Sequence, residues 1–401
     1  MLTAICLLAL SAPGAGLEAI SSAELCGDCH RAIHETWKAS RHAHAMDSRL
    51  FQDVLHWTEA DLGAAARRTC LGCHAPLALE IGDLSLQKKV SWEGVTCDYC
   101  HSVREVTMAA PNPKAKLKFD RMKTGPWKEA DPGKHGAIFS EVHTSSEICA
   151  PCHEYRNALG FPVLTTFSEW KASRYAKEGR PCQSCHMPRV EHGGAARLVG
   201  ATLLGAERHR QCEFCHAASA AGDVVEQRAR RSSAAKSNLR DMVNLHEMKG
   251  SHSIEQLTSA IKAQLEAARE GNKLKVTVAV ANVAAGHYVP TGSPLRQLVL
   301  EIRADTGGGK HFREERVYRR TVVDQQAKPV EREHIAFVKG VTAISDTRLA
   351  PDEKRSETFL FDVPPGDQTE IKAIFWYYYS PLATTESHKR VTFLTLSRLV
   401  Q

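Results

Sequence analysis

Cys26-Gly27-Asp28-Cys29-His30 is the first of six Cys-x-x-Cys-His strings in this 401-residue chain, and their spacing decides how its first two-thirds must fold. The others are Cys70-Leu71-Gly72-Cys73-His74, Cys97-Asp98-Tyr99-Cys100-His101, Cys149-Ala150-Pro151-Cys152-His153, Cys182-Gln183-Ser184-Cys185-His186 and Cys212-Glu213-Phe214-Cys215-His216. Two thiols three positions apart can add to the two vinyl groups of one haem, and the adjacent histidine then reaches the iron from the proximal side. We therefore expect six covalent c-type haems. Their attachment points are Cys26, Cys29, Cys70, Cys73, Cys97, Cys100, Cys149, Cys152, Cys182, Cys185, Cys212 and Cys215, and their proximal ligands are His30, His74, His101, His153, His186 and His216.

Other uses of cysteine fit less well. Zinc ribbons pair Cys-x-x-Cys units but do not demand a histidine after every second cysteine. Disulfide scaffolds are short and irregularly spaced, and thioredoxin-like pairs do not come in sixes. Of 13 cysteines, only Cys6 lies outside the strings. It sits in the apolar run Leu2–Leu10, whose small-residue continuation makes residues 1–16 a weak export signal, with no Lys or Arg before the run. Covalent haem attachment is completed outside the cytoplasm, so a periplasmic or other extracytoplasmic location is expected. No later stretch offers the roughly 20 apolar residues that span a bilayer.

The formal charge is +6, from 52 basic and 46 acidic residues. Six ferric haems, each about −1 with its propionates, would bring the holoprotein near neutrality, so nucleic-acid binding has no support.

The strings all precede residue 220. The expected organisation is α + β: a mainly helical and loop-built hexahaem domain over 21–252, a connecting helix over 253–271, and a C-terminal β-sandwich over 272–401. The first part has too few residues per haem for an ordinary core, so the chain should wrap its cofactors. An internal repeat, Trp37-Lys38-Ala39-Ser40-Arg41-His42 and Trp170-Lys171-Ala172-Ser173-Arg174-Tyr175, reads as a reused haem-packing unit. Ser253 and Gln256 form a capping box, with Ile254, Leu257, Ile261, Leu265 and Ala268 on one helical face and Gly271 as its stop. From Lys273 the period becomes two. Strands are expected near 274–280, 298–302, 316–323, 334–338, 357–361, 371–379 and 390–396, about seven in all, as in a sandwich.

The sixth iron position separates a carrier from a catalyst. Ten histidines of the haem region lie outside the strings. The six expected distal ligands are His42, His135, His143, His209, His246 and His252, with His44 and His192 as substitutes and Met46, Met187 and Met248 as alternatives.

Several strings resemble the multihaem cytochrome c superfamily, with a cytochrome c-552/c-554-like haem domain and a C-terminal β-domain. They are Trp37–His42, Gly94-Val95-Thr96-Cys97-Asp98-Tyr99-Cys100-His101, Cys182-Gln183-Ser184-Cys185-His186-Met187-Pro188, the His246 to His252 segment and Gly286-His287-Tyr288-Val289-Pro290-Thr291-Gly292. The resemblance implies mostly bis-histidine haems in stacked pairs and periplasmic electron transfer. It carries neither mark of the catalytic relatives, a lysine in place of a motif histidine or a far larger haem count.

His287 has three readings: a ligand reaching back to a haem, part of a substrate or partner loop, or a locally bonded turn residue. The functional expectation is an electron carrier rather than a catalyst. It would serve redox partner proteins, such as membrane-bound cytochromes or terminal reductases, docking partly through Lys114–Lys123. A second reading is an oxidoreductase with one five-coordinate haem acting on a small nitrogen or sulfur compound, with Tyr175 beside it. A third is a subunit of a larger redox assembly or haem filament.

Overall fold

A computed structural model describes residues 20–130, 132–191, 242–380 and 389–401. The expected signal segment, His192, His209 and the whole sixth string, Cys212–His216, lie outside the described residues.

Each of the five described strings sits on a short helix. Ala23–Gly27 carries Cys26, and Arg67–His74, Cys97–His101, Ala150–His153 and Gln183–His186 each end on the string's histidine. One helical turn brings cysteines three apart onto the same face. Thr96 caps the third of these helices, its hydroxyl accepting from the Asp98 amide. Apolar packing in this region is modest. Met46, Phe51, Leu55, Leu71, Ala75, Ala78 and Leu86 form one small cluster. Between the helices lies a continuous cavity of about 1720 Å³, larger than the roughly 300–1,000 Å³ of a single-ligand pocket.

The C-terminal region is strand-rich. Lys354–Asp362, Lys273–Asn282 and Ile261–Glu270 form a three-stranded antiparallel sheet in that order. His311–Tyr318, Gln297–Thr306, Thr369–Tyr378 and Arg390–Val400 form a four-stranded one. Alternate residues from both sheets, among them Val276, Val278, Leu300, Ile302, Phe359 and Phe375, share one apolar core. Period-two patterning in the sequence is realised directly as this inward face.

Two expected elements differ. The connecting helix over 253–271 exists only as Ile254–Ala260, capped by Ser253 on the Gln256 amide as its capping box requires. From Ile261 to Glu270 the chain is a strand, so the β-region starts about ten residues early. Ile261, Ala263, Leu265 and Ala267 also alternate, and pairing with Lys273–Asn282 across the two-residue turn Gly271-Asn272 buries that face. A helix would have left the sheet edge uncovered. The strand expected at 334–338 is the helix Glu333–Lys339. Short apolar runs are ambiguous in period. Here the run fills the connection between Arg320–Val323 and Thr342–Asp346, which pair as a small separate hairpin.

That hairpin and helix reach across to the haem region. Val322, Val330 and Ala336 pack on Phe161 and Val163. Arg320 donates to the Val163 carbonyl, and Asn157 Nδ2 donates to the Gly340 carbonyl at 2.8 Å.

Candidate functional site

Three of the string histidines are oriented by backbone carbonyls of distant segments. His101 Nδ1 donates to the Thr124 carbonyl at 2.6 Å, His186 Nδ1 to Lys249 at 2.5 Å and His74 Nδ1 to Ala45 at 3.2 Å. Three histidines outside the strings are anchored the same way: His135 on Gly136 at 2.9 Å, His246 on Asn244 at 2.8 Å and His287 on Tyr288 at 2.9 Å. A bond from Nδ1–H to a carbonyl fixes the tautomer and turns the Nε2 lone pair outward, as in metal-ligating imidazoles.

These anchored rings face string histidines at a repeating separation. Ring centroids lie 6.2 Å apart for His30 and His135, 6.5 Å for His101 and His246, and 6.3 Å for His186 and His287. His42 lies 6.3 Å from His153. Two imidazoles on one iron, each through a bond of ~2 Å, place their centroids about 6 Å apart. The donors and the cavity therefore fit haem. Burial lowers the pKa of His42 and His246 to about 4 and that of His153 to about 3, so these three rings are held in the neutral, metal-binding form.

His74 differs. It is half-buried, and Phe51 stacks on its ring at 3.8 Å, but among the described residues no second histidine ring faces it at ligand separation.

The remaining expected ligands are placed otherwise. His143 stacks at 5.3 Å on His101, but its Nε2 donates to the Cys100 carbonyl at 3.1 Å. His252 stacks at 4.2 Å on Tyr379, and its Nδ1 lies 3.2 Å from an Arg41 guanidinium nitrogen, which donates to it. His44 is exposed and paired with Asp47. Met46 is fully buried in the small apolar cluster, and Met248 Sδ lies 2.6 Å from His42 Nδ1. His287, in contrast, was one of several readings from sequence and is brought squarely opposite His186. Its signal was the Gly-His-Tyr-Val-Pro-Thr-Gly loop breaking an alternating pattern.

The repeat explains two of these placements. In the first copy, Trp37 Nε1 donates to the Val95 carbonyl and the Val95 amide to the His42 carbonyl, both at 2.9 Å. The tryptophan thus ties His42 to the loop entering the third string. Gly94, at φ +70°, lies against the His42 carbonyl. Gly94→Ala is expected to cost about 1–3 kcal/mol through that clash and the left-handed backbone. Thermal unfolding checks this, and an unchanged melting temperature would contradict the assignment. In the second copy, Trp170 Nε1 donates to Arg180. Tyr175, at the place of His42, lies between the Arg174 and Arg180 guanidinium groups and donates to the Val283 carbonyl. A Cβ on Gly286 would sit 3.2 Å from Tyr175 and 3.3 Å from Trp170. The second copy therefore seats the loop that carries His287.

The attachment sites adjoin one another. The thiols of Cys26 and Cys97, of Cys73 and Cys152, and of Cys149 and Cys182 are hydrogen-bond neighbours, and Cys100 lies close to Cys149 and Cys152. The basic stretch Lys114–Lys123 is partly neutralised: Lys118 pairs with Asp120 at 3.2 Å, and Lys123 pairs with buried Asp98. Near the first and third strings, burial raises Glu93 to about 7, and its Oε2 accepts from the Ala23 amide. A carboxyl whose folded pKa exceeds its unfolded value stabilises fully below the unfolded pKa and loses that contribution as pH rises through the folded one. Stability should therefore fall between about pH 4.5 and 7. Glu93→Gln should flatten that slope in melting temperatures measured across this range.

Residues 25–102, which hold the first three strings, match the family described as cytochrome c554 and c-prime. This match supports a multihaem cytochrome c family for that part of the chain, which implies covalently bound haem. A penta-haem cytochrome c552 from Thermochromatium tepidum is similar over 95% of this chain and 99% of its own, with a TM-score of 0.68 and 19% identity, a likeness of fold. The hypothetical protein PH1083 from Pyrococcus horikoshii OT3 covers 35% of this chain and 85% of its own at 13% identity, but its TM-score of 0.16 carries no argument. No curated protein matches the chain. Among the described residues no helix is long and apolar enough to cross a membrane.

Proposed function

We propose that this protein is an extracytoplasmic multihaem c-type cytochrome that carries electrons between redox partner proteins. Six covalent haems would occupy the six strings, with the two β-sheets read as a sandwich that completes the ligand set. Haem bound at these sites supplies one-electron centres. The chain's own residues do the rest: they orient the ligands, exclude water and fix the spacing of the sites.

The observation that carries this reading is the set of four histidine pairs at 6.2–6.5 Å. We assign His30 with His135, His101 with His246, His153 with His42, and His186 with His287 as axial pairs. The thiol contacts order the attachment sites: first beside third, third beside fourth, and fourth beside both second and fifth. Such contacts set neighbouring sites within tunnelling reach.

Intact-mass measurement of the holoprotein should show six haems, and electron paramagnetic resonance should show predominantly low-spin ferric signals. A mass short of several haems would end the proposal. His42→Ala should turn one low-spin haem high-spin. His143→Ala, whose Nε2 is already engaged with the Cys100 carbonyl, should leave every low-spin signal in place.

A second reading has one specific support. Among the described residues His74 has no facing histidine, which would leave a coordination position open to a small molecule. Tyr175 has no part in it, being buried between two arginines against the Gly286 loop.

A further inference from the structure

Asp98 stands directly after the first cysteine of the third string. The same position holds Gly27, Leu71, Ala150 and Gln183 in the other described strings, so it is the one charged case among them. None of the Asp98 side chain is exposed. Its Oδ2 accepts from the Ser21 amide at 2.7 Å, and its Oδ1 accepts from the Ser102 hydroxyl at 3.1 Å and from the Lys123 ammonium. These partners are all donors, which suits a carboxylate. Three segments thereby meet on one side chain: the lead-in to the helix carrying Cys26, the residue after the third string, and the strand Met122–Gly125.

The ion pair also fixes the strand that orients the third string's histidine. Thr124, next to Lys123, gives its carbonyl to His101 Nδ1, and its hydroxyl donates to the His101 carbonyl at 2.8 Å and the Val103 carbonyl at 2.9 Å. Both charges act on that ring. Burial lowers the His101 pKa; the Thr124 carbonyl and Asp98 oppose this, while His135 and Lys123 add to it. At His30, in the neighbouring first site, burial and the rings of His135 and His101 act instead.

Reduction of a haem adds one electron at the iron, so a fixed carboxylate nearby disfavours it and a fixed ammonium favours it. The Asp98 side chain is fully enclosed, where its field is least screened, whereas 16% of Lys123 is exposed. We propose that Asp98 and Lys123 are a pair of opposed fixed charges that sets the reduction potential of the third haem, the carboxylate being the stronger. The third haem is thus held at a lower potential than its ligands alone would give. Because the third attachment site adjoins both the first and the fourth, the pair governs how readily charge passes between them. This rests on the electron-carrier reading and on haem at the third string.

Redox titration of the full-length holoprotein, followed by electron paramagnetic resonance, tests it. The low-spin signal that His246→Ala removes identifies the third haem. Asp98→Asn should shift that haem's ratio of reduced to oxidised form about tenfold toward reduced, a rise of about 59 mV for one electron. Lys123→Met should shift it the opposite way by a smaller factor, about threefold. The double variant, which leaves neither charge buried alone, guards against single variants that mature poorly, and its potential should fall between those of the wild type and Asp98→Asn. A purely structural pair would move both single variants in the same direction. Same-direction shifts, no shift, or a double variant at or below the wild-type potential would overturn the charge pair while leaving the carrier standing. If peptide mass shows Cys97 and Cys100 of the wild type without haem, or His246→Ala removes no low-spin signal, the reading beneath it is wrong and the pair falls with it.

Discussion

Glu169→Ala is expected to destabilise the folded chain by about 3–5 kcal/mol, the cost of breaking a buried charge network. Glu169 is buried on the helix Thr166–Ala172. Its Oε1 accepts from Arg348 at 2.8 Å and from the Thr165 hydroxyl at 2.6 Å. Its Oε2 accepts from the Thr291 hydroxyl at 2.8 Å and the Tyr288 amide at 3.2 Å. One carboxylate thus holds both the β-region's buried arginine and the loop that carries His287. Arg348 keeps Asp346, at 2.8 Å, but loses its partner on the haem side. The melting temperature should fall on the order of 5–10 °C. Pairing Glu169→Leu with Arg348→Met should recover much of the loss, because an apolar pair leaves no charge buried alone. A single variant as stable as the wild type would show that the two regions are held together by other contacts.

His287→Ala is expected to remove the whole low-spin signal of one haem and replace it with a high-spin one. The ring is half-buried, its Nδ1 is committed to the Tyr288 carbonyl, and it lies nearly parallel to His186, at 15°. Alanine would leave a space shaped for imidazole, so added free imidazole should restore the low-spin signal. An undiminished low-spin spectrum would mean that another residue completes the fifth site. The two variants also separate the two roles of this contact. Glu169→Ala should disturb stability and ligation together, whereas His287→Ala should change ligation with little loss of stability, since only one partly enclosed imidazole is removed.

Legibility in the sequence followed the range of each interaction. The Cys-x-x-Cys-His strings are five-residue units, and their helices form where the spacing places them. The alternation of Leu274, Val276, Val278 and Val280 also marks a strand without outside help. Ile261–Glu270 was misread because its apolar residues satisfy both a helical and an alternating pattern. The sheet edge offered by Lys273–Asn282 settles the choice through ten residues of antiparallel pairing. The run at 334–338 was ambiguous for the same reason, and its docking against the haem region decides in favour of a helix.

Distal partners lie beyond that range. His246 faces His101 from 145 positions further along the chain, and His287 faces His186 from a loop of the strand-rich region, so no local pattern could pair them. His143 and His252 were as plausible by spacing, yet hydrogen bonds to Cys100 and Arg41 engage them elsewhere.

The amino-acid order alone marks where haem would be attached, because a covalent bond needs only neighbouring thiols and an adjacent imidazole. Only the tertiary structure decided which imidazoles meet in pairs and, among the described residues, which string histidine faces no second one. Those arrangements are long-range: three pairs form between distant segments of the haem region, and the fourth needs the β-region loop that Trp170 and Tyr175 seat beside His186.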